Sequence, residues 1–173
     1  AAPDGSLWVG VVEGGLNCLS PGAKGFIHYR TNNSNLPHNS VSTLAADGNG
    51  NLWIGTWGGG VAIVDPKQPN NIWRLSVDDV HVPLLTFIGA IAYDAINHGM
   101  WIGANEGLFF YNLKTRKLED PFPSCRDIRG CIGSLITRDG NLMVGCLRGM
   151  VTVDLKSRRG GKRFFTVHHQ PYK

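Results

Sequence analysis

The chain has 173 residues and a mass of 18.8 kDa, enough to bury one substantial core, and 42% of its residues are hydrophobic. Its formal net charge of +4 is mild for this length and argues against a dedicated nucleic-acid binder. The 23 glycines lack a collagen-like period, and no capping box leads into a sustained helical pattern. Together these features favour many short strands joined by tight turns.

A short phrase recurs four times along the chain. In the second copy it reads Gly-Asn-Gly-Asn-Leu-Trp-Ile-Gly over residues 48–55, and a Gly-Gly pair and an apolar run follow a few residues later. The anchor positions of the four copies are Trp8, Trp53, Trp101 and Met143, which are 45, 48 and 42 residues apart. A period of roughly 40–50 residues with several short strands in each unit is typical of a β-propeller blade.

The predicted elements follow the same plan in each unit. The first unit begins just before its first turn, so it lacks an inner strand, and its outer strand is predicted at 26–29. The clearest unit is the second, with strands predicted at 41–46, 52–56, 61–65 and 72–75. Inner strands are predicted at 88–93 and 131–136, and a last outer strand at 163–167.

We therefore predict an all-β fold, a β-propeller of about four blades of four antiparallel strands each. The ring is partial, because the first blade lacks its inner strand. The blades are expected at about 1–35, 36–80, 81–124 and 125–173.

Two sets of repeated residues are predicted to be structural. The tryptophan of the repeated phrase is expected to pack between neighbouring blades, and we call its position the tryptophan slot. Met143 can fill this position in the fourth copy because its side chain is flexible and of similar reach. Aspartates recur before the second strand, and we expect them to cap the turn between the first two strands. These aspartates are Asp4, Asp47, Asp94 and Asp139.

The segment Leu-Trp-Ile-Gly-Thr-Trp-Gly-Gly-Gly at 52–60 and the lead-in Asn-Leu-Pro-His-Asn-Ser-Val at 35–41 resemble the two-component regulator propeller repeat. The resemblance covers nearly the whole chain. The departures are Met143 for Trp, Cys146 for Thr, and the stretch at 104–106. In that family, the repeat builds the periplasmic sensor region of bacterial hybrid histidine kinases.

The resemblance implies an extracytoplasmic, periplasmic sensor that recognises a glycan-derived or other small solute ligand. It also implies that the full-length protein is membrane-anchored and dimeric and signals to a cytoplasmic kinase core. Since these 173 residues contain no ATP-binding glycine loop and no phosphoacceptor helix, we expect no catalysis in this segment.

The histidine, cysteine and basic residues raise the questions of a metal site, a disulfide and a nucleic-acid patch. No two histidines fall at metal-ligand spacing within a repeat, so we expect neither a metal nor a cofactor. Cys125 and Cys131 flank a loop and could be bridged or free. The basic stretch at 156–163 is expected to be a solvated hairpin, because no aromatic residues are interleaved with its charges.

The turn between the second and third strands varies where the rest of the repeat does not. In a propeller, these turns share one face with the loops that join successive blades. Polar groups beside an exposed aromatic suit sugar binding, although ordinary loop variability would give the same pattern. The candidate ligand-binding residues are Glu13, Trp57, Asn105, Glu106 and Arg148 in the turns, and His38, His81 and Arg126 in the loops.

Three classes of function are compatible with the repeat. The leading hypothesis is a non-enzymatic sensor. One alternative is a propeller enzyme, a lyase or glycoside hydrolase acting on a polysaccharide or small molecule, for which Glu106, Arg148 and His81 could be assembled on one face. The other alternative is a purely structural or protein-interaction propeller.

Strand counting adds one expectation about partners. About fifteen strands are predicted where four blades need sixteen, and the polar tail at 168–173 contains Pro171, which suits no central strand. We therefore expect the remaining blades of the ring to come from further sequence or from another copy of the chain.

Overall fold

The fold consists of four antiparallel sheets that follow one another along the chain. The computed structural model describes residues 2, 4–75, 85–122, 128, 135–146, 149–157 and 165–169. These residues contain fifteen strands and no α-helix, and none of them forms a helix long and apolar enough to span a membrane.

The first blade has three strands and the other three blades have four each. Blade 1 contains β1 Leu7–Val11, β2 Gly15–Leu19 and β3 Ile27–Tyr29. Blade 2 contains β4 Val41–Ala46, β5 Leu52–Thr56, β6 Gly60–Val64 and β7 Ile72–Arg74. Blade 3 contains β8 Ile88–Asp94, β9 Gly99–Ala104, β10 Gly107–Asn112 and β11 Lys117–Glu119. Blade 4 contains β12 Leu135–Arg138, β13 Asn141–Cys146, β14 Gly149–Asp154 and β15 Phe165–His169. The predicted partial propeller, with an inner strand missing from the first blade, is confirmed.

The predicted end of the last outer strand is wrong. His168 and His169 were assigned to a polar tail, but they form the end of β15, where they pair with Met150 and Gly149. The ladder continues this far because β14 begins at Gly149 and offers β15 partners along its whole length. In addition, the side chain of His168 lies beside that of Thr152, with Nε2 3.2 Å from Oγ1.

The core consists of apolar layers between successive blades. The central strand β5 is buried on both faces, and its alternating side chains point to opposite neighbours. Ile54 belongs to a cluster shared with Trp8 and Leu16 of blade 1, whereas Trp53 belongs to a cluster shared with Tyr111 of blade 3. The Trp53 and Tyr111 ring centroids are 5.3 Å apart. The tryptophan slot thus lies in the layer between two blades.

The glycine that ends the repeated phrase allows the next blade to approach closely. A Cβ on Gly55 would come within 2.7 Å of Cγ2 of Ile88 and would also collide with Thr43. In the preceding blade, Gly10 lies in the same way against Val41. Because Ile88 and Val41 begin the inner strands of the following blades, these glycines set the spacing at the centre of the ring.

Aspartates at the first turn hold the tryptophans in place. Asp47 Oδ1 accepts hydrogen bonds from the backbone N–H groups of Asn49 and Asn51, and its Oδ2 accepts the indole N–H of Trp53 at 3.0 Å. In blade 3, Asp94 Oδ2 accepts the Trp101 indole N–H at 3.1 Å. Each carboxylate therefore closes the turn and orients the tryptophan at the same time.

In blade 1 the contact between aspartate and tryptophan is indirect. Asp4 accepts hydrogen bonds from the N–H and the hydroxyl of Ser6, and the Ser6 hydroxyl in turn accepts the indole N–H of Trp8 at 2.8 Å. These hydrogen bonds from Ser6 lower the pKa of Asp4.

In blade 4 the predicted cap at Asp139 is wrong. Arg138 pairs directly with Asn141, so the turn has only two central residues, Asp139 and Gly140, with φ of 52° and 80°. Both residues are left-handed, as in the type I′ turn that Asp-Gly favours. The Asp139 side chain is 84% exposed and makes an ion pair with Arg138. Because Met143 replaces the tryptophan here, no indole N–H requires an acceptor.

Candidate ligand-binding face

Turns and interblade loops meet at one face of the propeller through backbone hydrogen bonds. The Trp57 N–H donates to the carbonyl of Ser40, which precedes the inner strand of its own blade, at 2.9 Å. The next residue, Gly58, donates to the Thr86 carbonyl, which precedes the inner strand of blade 3, at 2.8 Å. The turn of blade 2 is therefore fixed between the loops that enter blades 2 and 3.

An exposed aromatic pair lies at this junction. Trp57 and Phe87 form an antiparallel bridge and are 44% and 48% exposed. Directly opposed residues of an antiparallel pair project to the same side, so the two rings are neighbours on the surface. At the preceding junction the corresponding residues are Val12 and Ser40, and hence the aromatic pair is not part of the repeat.

His38 adds a hydrogen-bond donor beside the aromatic pair. Its Nδ1 accepts the N–H of Ser40 at 3.0 Å, which assigns the proton of the neutral ring to Nε2. A Cβ on Gly58 would lie 3.0 Å from Cδ2 and 3.2 Å from Nε2 of the imidazole. The ring thus packs over Gly58, one residue from Trp57, and it is half-buried.

Asn105 and Glu106 extend the same face into blade 3. The N–H of Asn105 donates to the Phe87 carbonyl at 3.2 Å, and the Asn105 side chain is exposed. Glu106 is half-buried, and its Oε2 is buried with no hydrogen-bond partner among the described residues. A buried carboxylate oxygen without a donor is costly, so Glu106 is a poorly satisfied polar group at the edge of this face.

Of the remaining candidates, the structure describes one, Glu13, and it does not belong to this cluster. Glu13 lies at the preceding junction, where its N–H donates to the Ser40 hydroxyl at 3.3 Å and its side chain is exposed. His81, Arg126 and Arg148 lie outside the described residues, as do Cys125 and Cys131.

Phe87 is a residue of this face that the sequence did not predict. The signal was a large apolar side chain at the position where the preceding blade has Ser40, just before the inner strand.

Metal-ligating and thiol groups form no second centre in the described part of the chain. It contains no group of three or more His, Cys, Asp or Glu residues that could hold a metal ion. Cys18 and Cys146 are free thiols, and burial raises the pKa of Cys18.

Comparison with known proteins supports the fold and the repeat. Residues 35–58 match the family model described as "Two component regulator propeller". This match spans the lead-in with His38, the inner strand and the turn that contains Trp57. No curated protein matches the chain significantly in sequence.

Similar solved structures belong to proteins of several kinds. The extracellular domain of a protein described as a hybrid two component system, from B. thetaiotaomicron, superposes with a TM-score of 0.76 at 22% identity, over 98% of this chain and 22% of that one. An auxiliary nutrient binding protein from Bacteroides ovatus gives a TM-score of 0.70 at 11% identity, over 97% and 40%. The dihydro-heme d1 dehydrogenase NirN gives 0.59 at 14% identity, over 99% and 35%.

These superpositions establish a shared β-propeller fold. The chain spans about a fifth of the length of the two component system domain that it resembles.

Proposed function

We propose that this chain, a β-propeller that carries the two component regulator propeller repeat, is a ligand-sensing segment of an extracytoplasmic, periplasmic sensor protein. In this proposal the segment binds a glycan-derived ligand and performs no chemistry on it. The full-length protein is membrane-anchored and dimeric and passes the signal to a histidine kinase core.

The observation that carries the proposal is the exposed pair of Trp57 and Phe87. Aromatic faces stack on the C–H patches of sugar rings, and two adjacent rings offer room for neighbouring sugar units. The polar groups around them suit hydroxyls, since His38 Nε2 donates and the exposed Asn105 side-chain amide can both donate and accept. A sensor needs such a site to be open before the ligand arrives, and both aromatics are exposed in this structure.

The structure of the described residues gives a propeller enzyme no further support. The enzyme hypothesis required Glu106 to be assembled with His81 and Arg148, and the last two lie outside the described residues. The turn that holds Glu106 instead meets Phe87 through the N–H of Asn105, and an aromatic ring beside an amide suits recognition more than proton transfer.

The test is binding of neutral oligosaccharides to the protein and to two matched variants. A panel of gluco-, xylo-, manno- and arabino-oligosaccharides is titrated by calorimetry, and each incubation is assayed for new reducing ends and new double bonds. We expect at least one oligosaccharide to bind without being cleaved. Trp57→Ala should weaken that binding at least tenfold, because the stacking surface is lost.

The matched control is Val12→Ala, which truncates the exposed residue at the corresponding position of blade 1. It should leave the affinity within twofold of the parent protein. Absence of binding across the panel would disprove the proposed site. Turnover of any member would instead show an enzyme.

A further inference from the structure

A second concave surface lies at the periphery between blades 1 and 2, away from the aromatic pair. The loop that leaves blade 1 and the outer strand β7 enclose a groove of about 630 Å³, within the range of small-molecule sites. Its base includes Leu36, which is almost fully buried. None of the candidate ligand-binding residues that the structure describes lines this groove.

The charge of the groove comes from Arg74. In the ladder between β6 and β7, Arg74 lies opposite Ala62 and Trp73 opposite Ile63. Ala62 packs in the cluster shared with blade 1, whereas Ile63 packs in the cluster shared with blade 3. Since opposed residues share a face of the sheet, Arg74 projects toward blade 1 and the groove, and Trp73, on the other face of the strand, also forms part of the lining.

The polar groups of the groove have free hydrogen-bonding capacity. Among the described residues, the side chains of Thr31, Asn35 and Asn71 make no hydrogen bond, and Arg74 has no ion-pair partner. Among the lining residues that the structure describes there is no Asp or Glu. A guanidinium beside amides and a hydroxyl matches a ligand that carries a carboxylate next to several hydroxyl groups.

We infer that this groove binds a short oligosaccharide that contains a uronic acid. The guanidinium of Arg74 takes the carboxylate, and the side chains of Thr31, Asn35 and Asn71 take the ring hydroxyls. The inference does not rest on the proposed function of the aromatic pair, because the two sites share no residue.

The experiment uses acidic oligosaccharides, each beside a chemically matched neutral partner. The probes are oligogalacturonates, alginate trisaccharides and a hyaluronan tetrasaccharide, titrated by calorimetry into the protein. Each is compared with the same oligosaccharide after its carboxyl groups have been reduced to alcohols. We expect at least one acidic probe to bind, and its reduced partner to bind at least tenfold more weakly.

Two variants that each remove one positive charge test whether the acidic probe binds in the groove. Arg74→Gln should weaken binding of the acidic probe at least tenfold, whereas Arg116→Gln, in the exposed turn of blade 3, should change it less than twofold. Trp57→Ala should also leave this binding unchanged, which separates it from the first site. The inference is overturned if no acidic probe binds, if the reduced partner binds equally well, or if Arg74→Gln binds like the parent protein.

Discussion

The hydrogen bond between Asp94 and Trp101 leads us to predict that the substitution Asp94→Asn destabilises the protein strongly. The Asp94 side chain is fully buried and accepts four hydrogen bonds. Its Oδ1 accepts the N–H groups of Ile96 and Asn97, both at 3.0 Å. Its Oδ2 accepts the Asn97 side-chain amide at 2.8 Å and the Trp101 indole at 3.1 Å. An amide has one acceptor oxygen, so whichever way it turns, two of these four donors lose their acceptor.

The expected loss of stability follows from that count. A buried donor left without an acceptor costs about 1–3 kcal/mol, so two of them should lower the free energy of unfolding by about 2–6 kcal/mol. A domain of this size is stable by about 5–15 kcal/mol, so the effect would be large. The measurement is urea denaturation followed by tryptophan fluorescence and far-UV circular dichroism, with the midpoint and the slope compared between variants.

The matched control is Asp139→Asn, the same change at the aspartate of the fourth copy of the phrase. This side chain is exposed and makes an ion pair only with its neighbour Arg138 among the described residues, and asparagine tolerates its φ of 52°. We expect a change within about 0.5 kcal/mol. If Asp94→Asn is as mild as this control, or the control is as costly as Asp94→Asn, the structural role assigned to the buried aspartate is wrong.

Two further predictions concern the blade spacing and the first turn. Gly55→Ala should destabilise the protein by about 1–3 kcal/mol, because the new methyl group collides with Ile88, whereas Gly25→Ala, with open space around it, should be close to neutral in the same denaturation assay. Ser6→Ala should raise the pKa of Asp4 toward its ordinary value of 3.8, as measured by NMR titration, since the hydroxyl hydrogen bond that lowers it is lost. Because the pKa of Asp4 is lowered in the folded protein, its contribution to stability is present above pH 3.8 and fades as the pH falls through the lower folded value; Ser6→Ala should reduce that pH dependence. An unchanged Asp4 titration would contradict this assignment.

Much of the candidate face could be anticipated from the repeat, because a propeller places particular turns and loops on one face. Trp57, Asn105 and Glu106 could be recognised because their turns vary between the copies, and His38 because it lies in a loop that joins two blades. His38, Trp57 and Asn105 are joined to one junction by the contacts described above. Phe87 was not recognised, because it precedes a strand and reads as ordinary apolar sequence. Its importance appears only when the bridge to Trp57 is seen.

The error at Asp139 has a related cause. The four aspartates occupy the same position in the repeated phrase. Whether the aspartate side chain caps the turn depends on how the first two strands of the blade are paired, because the pairing sets the length of the turn. Blade 4 pairs Arg138 with Asn141 and thereby shortens the turn, which moves the aspartate into solvent. Spacing within a phrase cannot show this, because register is set by cross-strand packing.

By itself, the sequence determined the architecture. A period of 42–48 residues with several apolar strands predicts sheets that bury both faces against neighbouring sheets built from the same repeat. The glycines and tryptophans at fixed positions of the phrase show which residues lie between neighbouring blades. Only the tertiary structure decided which exceptional residues become neighbours. Trp57 and Phe87 lie thirty residues apart in the chain, and Arg74 meets the loop at 31–37 across a blade boundary. Such contacts arise between blades, where sequence distance carries no information about spatial distance.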